Sequence, residues 1–416
     1  MVVRATLFLA FYVLFFSNLA GLATHFQILG VSLTILAALF SLLTGQVRRQ
    51  PMSPGEVMMV AIVALSSFSG IWALDHETVL YSLIFGAVFF AVGILRRYMT
   101  LAEVMQVCGL SFLIVMATVI VTDLPSFLRG LTGDVVYGIG LFRYSPFDLH
   151  PNLVGFIFGA GAVLLYQIGL TKQGPMKAFY LAASLLCFSF VLAASSRAGM
   201  LATVGAFVIY KMLGVKLRFS KNAPIQMIVV GSLLGILGIG LLVYLPTITE
   251  YIIRITDLDN PLRGLESGGT GRTDKWLLSI DVINSRDLLE LLFGTGIRSS
   301  SADKIGYSVE SSYFTLALEN GLFLAALWVF ASIDAMLRLG VSRDPQTPWK
   351  SAASILLAFA LLQSMFNRYL LGVGNPVSLL LLFIYAETFF HAYKPGICSS
   401  QSLPMLPSTR GLHPPQ

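Results

Sequence analysis

Apolar runs of about 20 residues recur along almost the whole chain, and that pattern confines the fold to a helical bundle in a membrane. A run of roughly 17–25 apolar residues crosses the hydrocarbon core as a helix. In lipid, only helices and closed barrels satisfy every backbone polar group internally. On that criterion about twelve spans can be marked out, near residues 5–23, 26–44, 56–74, 78–95, 101–122, 152–170, 178–195, 199–213, 224–246, 311–335, 351–371 and 376–392. Only 12% of the residues are charged while 56% are hydrophobic, against roughly a quarter charged in soluble domains. The expectation is an all-α polytopic membrane protein with about 12 transmembrane helices and one large loop, residues 247–310, carrying short helices. Residues 1–395 read as a single transmembrane domain that includes this loop, and the Ser/Pro-rich stretch 396–416 reads as a disordered tail.

Charge placement orients the bundle. Arg48 and Arg49, Arg96 and Arg97, Lys172 and Lys177, Lys216, Arg218 and Lys221, and Arg338, Arg343 and Lys350 fall on one side if the spans alternate. The positive-inside rule makes that side cytoplasmic, with both termini there. The net charge of +6 therefore speaks of topology and gives no reason to expect nucleic acid. The apolar N-terminus reads as a first span, because no small-residue cleavage site follows it. Cys108, Cys187 and Cys398 lack metal-ligand spacing and read as small core residues or a free thiol. His25, His76, His150, His391 and His413 are scattered, and no nucleotide-binding fingerprint appears. No metal or other cofactor is expected.

The long polar interruption closing on Gly321 is where water-soluble chemistry fits. Residues 273–284 place Trp276, Leu277, Ile280 and Ile283 at helical spacing. Thr270 or Thr273 is a suitable cap, and Asp274 suits the positive helix end. Asp287 to Phe293 reads as a second short helix, ended by Gly294. These helices are expected at the membrane surface, apolar face down.

Three residues stand out as catalytic candidates. Arg197 ends an apolar run within Ser195-Ser196-Arg197-Ala198-Gly199. It reads either as an arginine snorkelling at a span end or as an anion clamp, since guanidinium stays charged and presents a fork of donors that suits phosphate. Ser196 would add a donor. Arg272 follows a Gly-rich turn just before a helix, where anions are favoured, unless it is a solvated loop residue. Glu310 stands at the mouth of a span, where partial desolvation raises a carboxyl toward a useful base and a neighbouring Arg lowers it again. It reads as a general base or as a carboxylate marking the span boundary. Further along, Glu319 lies deeper and requires a partner. Arg143, His150 (followed by the helix-opening Pro151-Asn152), Tyr313 and Arg368 are candidate substrate-binding residues, each with a plain structural reading as helix start or interfacial side chain.

Taken in order, these motifs resemble the O-antigen ligase / O-antigen repeat-unit polymerase superfamily. Ser195–Gly199 is similar to its Ser-Arg-Gly/Ala element, Gly271-Arg272 with Trp276 to its Gly-Arg…Trp element, and Phe293-Gly-Thr-Gly296 to its Gly-x-Gly turn. Asn320-Gly321 matches the small-residue ending of the motif that follows. One departure concerns function. Where the ligase branch typically carries His-Asn-x-Tyr-Leu, this chain reads Glu310-Ser311-Ser312-Tyr313-Phe314, with Glu310 in the His position. That fits the polymerase branch better.

The resemblance implies a metal-independent glycosyltransferase of the bacterial inner membrane whose site faces the periplasm. Its donor would be a polyprenyl-diphosphate-linked oligosaccharide and its acceptor a glycan or glycolipid. Membrane lipids, and a chain-length regulator, would be its other partners. A ligase acting on lipid A-core is the alternative. A transporter or flippase would instead show broken helices, repeats or charges near the midplane.

Overall fold

The computed structural model describes residues 1–16, 23–45, 47–48, 50–132, 135–136, 140–141, 143–146, 150–213, 272–341, 348–368 and 370–389. The span expected at 224–246, the Gly-rich turn before Arg272, Cys398 and the tail 396–416 lie outside the described residues.

Helices dominate: α1 (Val2–Phe15), α2 (Ala23–Leu43), α3 (Pro54–Trp72), α4 (His76–Tyr98), α5 (Leu101–Thr132), α6 (Pro151–Leu170), α7 (Gly174–Ala193) and α8 (Arg197–Leu213), then the short α9 (Arg272–Asn284), α10 (Leu288–Phe293) and α11 (Ala302–Ile305), then α12 (Ser312–Val341), α13 (Pro348–Gln363) and α14 (Pro376–Thr388). A two-stranded ribbon pairs Val135–Val136 with Gly140–Leu141. Among the described residues, seven helices are long and apolar enough to cross a membrane, namely α2 to α7 and α12, while α1 and α14 are apolar but shorter. This is an all-α polytopic membrane protein.

Local sequence sets the ends. Ser53 and Glu56 form a reciprocal capping box at the start of α3. Asp75 caps α4 through the Glu77 and Thr78 amides, and Asn375 caps α14 through Val377 and Ser378. Proline occupies the first turn of α3, α6, α7 and α14, where its missing N–H costs nothing.

At the centre stands α6, apolar all round and almost wholly buried, as expected of a helix without a polar face. It packs on α7, α8 and α13. Its contact with α8 is close because both partners are glycine: a β-carbon on Gly199 would lie 2.7 Å from the Gly155 Cα.

The two ends differ in polarity. At one end Glu56 is buried between Arg96 (3.1 Å) and Arg97 (2.7 Å), and Arg96 also reaches Glu387 at 3.1 Å, which joins α3, α4 and α14. Arg338 closes the same end by donating to the Thr388 carbonyl at 3.1 Å, and Arg4 pairs with Glu103 at the start of α5. The opposite end carries the α3–α4 turn and the segment 272–311.

Three apolar runs depart from continuous spans. α5 bends at Asp123 (φ −149°, ψ 46°) and continues as a helix to Thr132. α13 stops at Gln363 rather than near 371, because the carbonyls of Ser364 and Asn367 serve α12: Ser364 accepts from the Ser312 amide at 2.9 Å, and Asn367 from the Ser312 hydroxyl at 2.5 Å. Most consequential, α12 breaks at Gly321 (φ 74°, ψ 167°). The first part, 312–320, starts at the end of α13 and finishes beside the α3–α4 turn. The second part, 322–341, continues into the bundle.

Candidate functional site

The break at Gly321 frees backbone acceptors inside the protein, and the loop motif 293–296 supplies donors for them. Gly296 N–H donates to the Glu319 carbonyl at 2.8 Å and Thr295 N–H to the Leu318 carbonyl at 3.3 Å. Arg286 adds its guanidinium to the Leu318 carbonyl at 2.7 Å and to the Thr295 hydroxyl at 3.0 Å. Buried carbonyls left without such partners are costly, so the Gly-x-Gly turn is what makes the broken helix tolerable. The Glu319 carboxylate is likewise answered, by the Arg298 amide at 3.0 Å and the Ser300 hydroxyl at 2.7 Å. This is the partner that a deep glutamate requires.

With 312–320 held, Glu310 projects beside the start of α9. Arg272 reaches it with Nε at 3.0 Å from Oε2, and Lys275 with Nζ at 2.5 Å from Oε1. Arg272 and Lys275 are three residues apart on one helix and share a face, which is the signal in the sequence that points to Lys275. The Arg272 guanidinium also lies over the Phe366 ring, 5.8 Å from its centroid. Trp276 sits against Phe314, 6.4 Å between centroids, fixing α9 on α12.

Electrostatics follow from this geometry. Burial alone would raise the Glu310 carboxyl, but hydrogen bonds and charge from Lys275 and Arg272 more than reverse it, and the group titrates below the usual carboxylate range. Glu310 is therefore ionised at neutral pH. His150, partly open to solvent, precedes α6, with Nδ1 accepting from the Asn152 amide at 3.3 Å. Desolvation by the surrounding protein lowers its pKa, Arg143 and Arg272 add to the effect, and Glu310 opposes it. The imidazole is neutral at pH 7 and feels all three charges, which places Arg143, His150, Arg272 and Glu310 in one electrostatic neighbourhood.

The α7–α8 corner closes another side. Arg143 Nε donates to the Ala194 carbonyl at 3.2 Å, and Tyr144 N–H to the Ala193 carbonyl at 3.0 Å. Ser195 adopts φ 49°, unusual for a residue with a β-carbon, and this tight corner sets Arg197 at the first position of α8. Ser196 is fully buried and caps α8 by accepting from the Gly199 amide at 3.3 Å. Tyr313 donates its hydroxyl to the Leu361 carbonyl at 2.5 Å, tying α12 to α13. Arg368 is exposed just beyond α13, two residues from Phe366. Among the described residues, no group of three or more His, Cys, Asp or Glu is placed to hold a metal.

One end of the bundle thus gathers a paired carboxylate, several fixed cations and a neutral imidazole. Such a set can neutralise a diphosphate while offering a carboxylate to a hydroxyl. No curated protein matches the chain. Residues 182–329, which contain Arg197, Arg272, Lys275 and Glu310 together with the turn 293–296 and the break at Gly321, match the family model described as O-antigen ligase, and this segment is accordingly similar to the O-antigen ligase/polymerase superfamily.

Proposed function

We propose that this chain is a polymerase of surface-polysaccharide repeat units, working at the periplasmic face of a bacterial inner membrane. The observation that carries the proposal is the Arg272–Glu310–Lys275 cluster at the same bundle end as the α7–α8 corner. The acceptor hydroxyl attacks the anomeric carbon of the donor glycan. The bond from that carbon to the polyprenyl diphosphate breaks, the diphosphate leaves with the electron pair, and the hydroxyl proton passes to Glu310. Attack opposite the leaving group inverts the anomeric centre. Arg197, Arg272 and Lys275 neutralise the charge growing on the diphosphate, and charge placed in advance in this way supplies much of the rate enhancement in many transfer reactions.

The pairing of Glu310 gives donor binding a second role. A carboxylate held by two cations is a weak base. An incoming diphosphate competes for Arg272 and Lys275, and as they turn to it Glu310 loses the contacts that depress its pKa. Donor binding and base activation are then one event. Arg143 and His150 line the acceptor side, with the neutral imidazole as a donor to sugar hydroxyls.

Polar depth favours an enzyme over a transporter. Glu103 and Glu387 pair with Arg4 and Arg96 at the far end, and Glu319 is bound by the 298–300 turn. None forms a midplane relay.

The test is glycan chain length in cells lacking the native protein, complemented at matched expression with wild type, Arg197→Ala, Arg272→Ala or Glu310→Gln. Wild type restores a ladder of repeat units, and each variant leaves a single repeat on the acceptor. Long glycan stranded on its lipid carrier would make the protein a ligase, and variants behaving as wild type would dismiss the site.

A further inference from the structure

A cavity of about 640 Å³ lies on the other side of 312–320 from the Arg272–Glu310 cluster, within the roughly 300–1,000 Å³ range of small-molecule sites. Ser312, Thr315, Leu316, Glu319 and Asn320 line it, and their spacing marks one face of the helical segment. α2, α3 and α4 supply the facing wall, and Arg368, residues 370–375 and residues 297–301 the sides.

The lining is graded. Val31, Ile62, Ile84 and Phe85 form an apolar part, and neighbouring Ile28 and Leu80 are more than half exposed on the outside of the bundle, where lipid would lie. The polar lining includes Arg298, Arg368 and the amide of Asn375. Asn375 is 5% exposed, and its Oδ1 is committed to capping α14, so its NH₂ group is left without a partner among the described residues. Ser301 Oγ and Arg298 Nε are buried in the same wall, also unpartnered among the described residues. Arg298 holds φ 72°, a strained conformation for a residue with a side chain. Its guanidinium is braced over Tyr81 at 4.7 Å and only loosely paired with Glu77 at 3.4 Å. The one carboxylate in the wall, Glu319, is already occupied by the Arg298 amide and Ser300.

Unspent donors and two guanidiniums in the wall of a mainly apolar chamber match an amphiphile with an anionic head. We propose that this cavity is a second lipid site, taking the phosphate or diphosphate head of a membrane lipid on Arg298 and Arg368 and the first carbons of its chain between α2 and α4. Assigning that lipid as the carrier of the acceptor glycan rests on the polymerase reading; the site itself does not.

Direct binding to the full-length purified protein in detergent tests the site without any transfer reaction. The probes are farnesyl diphosphate, phosphatidylglycerol and inorganic diphosphate, read by native mass spectrometry and titration. Arg368→Gln removes a cation that has no ion pair among the described residues, and Ile84→Trp fills the apolar part. Both variants are expected to weaken lipid binding at least ten-fold, and Ile84→Trp, which keeps both guanidiniums, should leave inorganic diphosphate binding unchanged. Arg272→Ala should do the reverse, weakening inorganic diphosphate and leaving one lipid equivalent bound. Farnesyl diphosphate binding alone assigns an isoprenoid carrier, and displacement by phosphatidylglycerol assigns a diacyl lipid. Lipid binding that is unchanged in both Arg368→Gln and Ile84→Trp, or lost only with Arg272→Ala, overturns the proposal, and either result leaves the chain-length test of the function standing.

Discussion

Gly321→Ala should be far more damaging than a glycine substitution in a loop, and the geometry says by how much. At φ 74° and ψ 167° the residue occupies a region essentially reserved for glycine, where a side chain costs on the order of 1–3 kcal/mol. An added β-carbon would also lie 2.1 Å from the Leu292 carbonyl oxygen and 2.4 Å from the Phe293 amide nitrogen. These are backbone atoms, so α10 must move, and overpacking of that kind costs roughly another 1–3 kcal/mol. Displacing α10 pulls the 294–296 turn from the Leu318 and Glu319 carbonyls, two hydrogen bonds of about 1 kcal/mol each. The sum is about 4–8 kcal/mol. Gly306→Ala is the matched control. It too has positive φ (80°), but nothing lies within 4 Å of an added β-carbon, so only the left-handed penalty of about 1–2 kcal/mol applies. The assay is thermal unfolding of both purified variants in one detergent, with glycan chain length measured in parallel. Gly306→Ala should stay close to wild type in both readouts, and Gly321→Ala should fall well below it in both. If the two melt together, or if Gly321→Ala retains a full ladder, the turn does not brace the broken helix and the account of the site's support fails.

Other consequences can be checked separately. Glu56→Gln leaves Arg96 and Arg97, whose side chains are 10% and 17% exposed, without a full counter-charge, so destabilisation of about 3–5 kcal/mol is expected on a denaturation curve. Lys275→Met removes a contact that lowers the Glu310 pKa. The acidic limb of the pH–rate profile, where the base must be deprotonated, should then move to higher pH, and an unmoved limb would exclude Glu310 as the base. Asp75, bonded to Lys304 and Thr78, has its pKa lowered from 3.8 to about 2 by the Lys304 hydrogen bond foremost, against opposing desolvation. A depressed carboxyl contributes its stability above the unfolded pKa and loses it as pH falls through the folded one. Wild type should therefore lose about 1 kcal/mol between pH 4 and 2 after allowance for screening at this partly exposed pair. Lys304→Met should flatten that loss, as melting temperature against pH would show.

Much of the architecture was legible from local pattern. Each expected span within the described residues falls on a helix, seven of them long and apolar enough to cross a membrane, because such a helix needs only a sufficiently long apolar run. The two short loop helices were legible for the same local reasons: Trp276, Leu277, Ile280 and Ile283 repeat with helical period, and Asp287 and Gly294 bracket α10 as cap and stop. The break in α12 was not legible. Ser312 to Val341 reads as one apolar helix, and Gly321 alone does not stop a helix. What stops it is the 293–296 turn, earlier in the chain, offering donors to the carbonyls that the break exposes.

The site divides the same way. Arg197, Arg272 and Glu310 drew attention singly, since a charge at a membrane boundary requires an explanation wherever it falls. Their chemical character, however, is a property of neighbours. Sequence left open whether burial or a nearby cation governs Glu310, and Lys275 and Arg272 decide it by approaching from α9. Ser196 is a polar residue beside an arginine in the sequence, yet in the fold it is a buried cap facing Gly155. The cavity between 312–320 and α2–α4 has no sequence signature at all, because its walls come from six separate stretches of chain. Residue type and spacing determine what each segment can be on its own. Distances between segments, and with them pairing, burial and the shape of any binding space, exist only once the chain has packed.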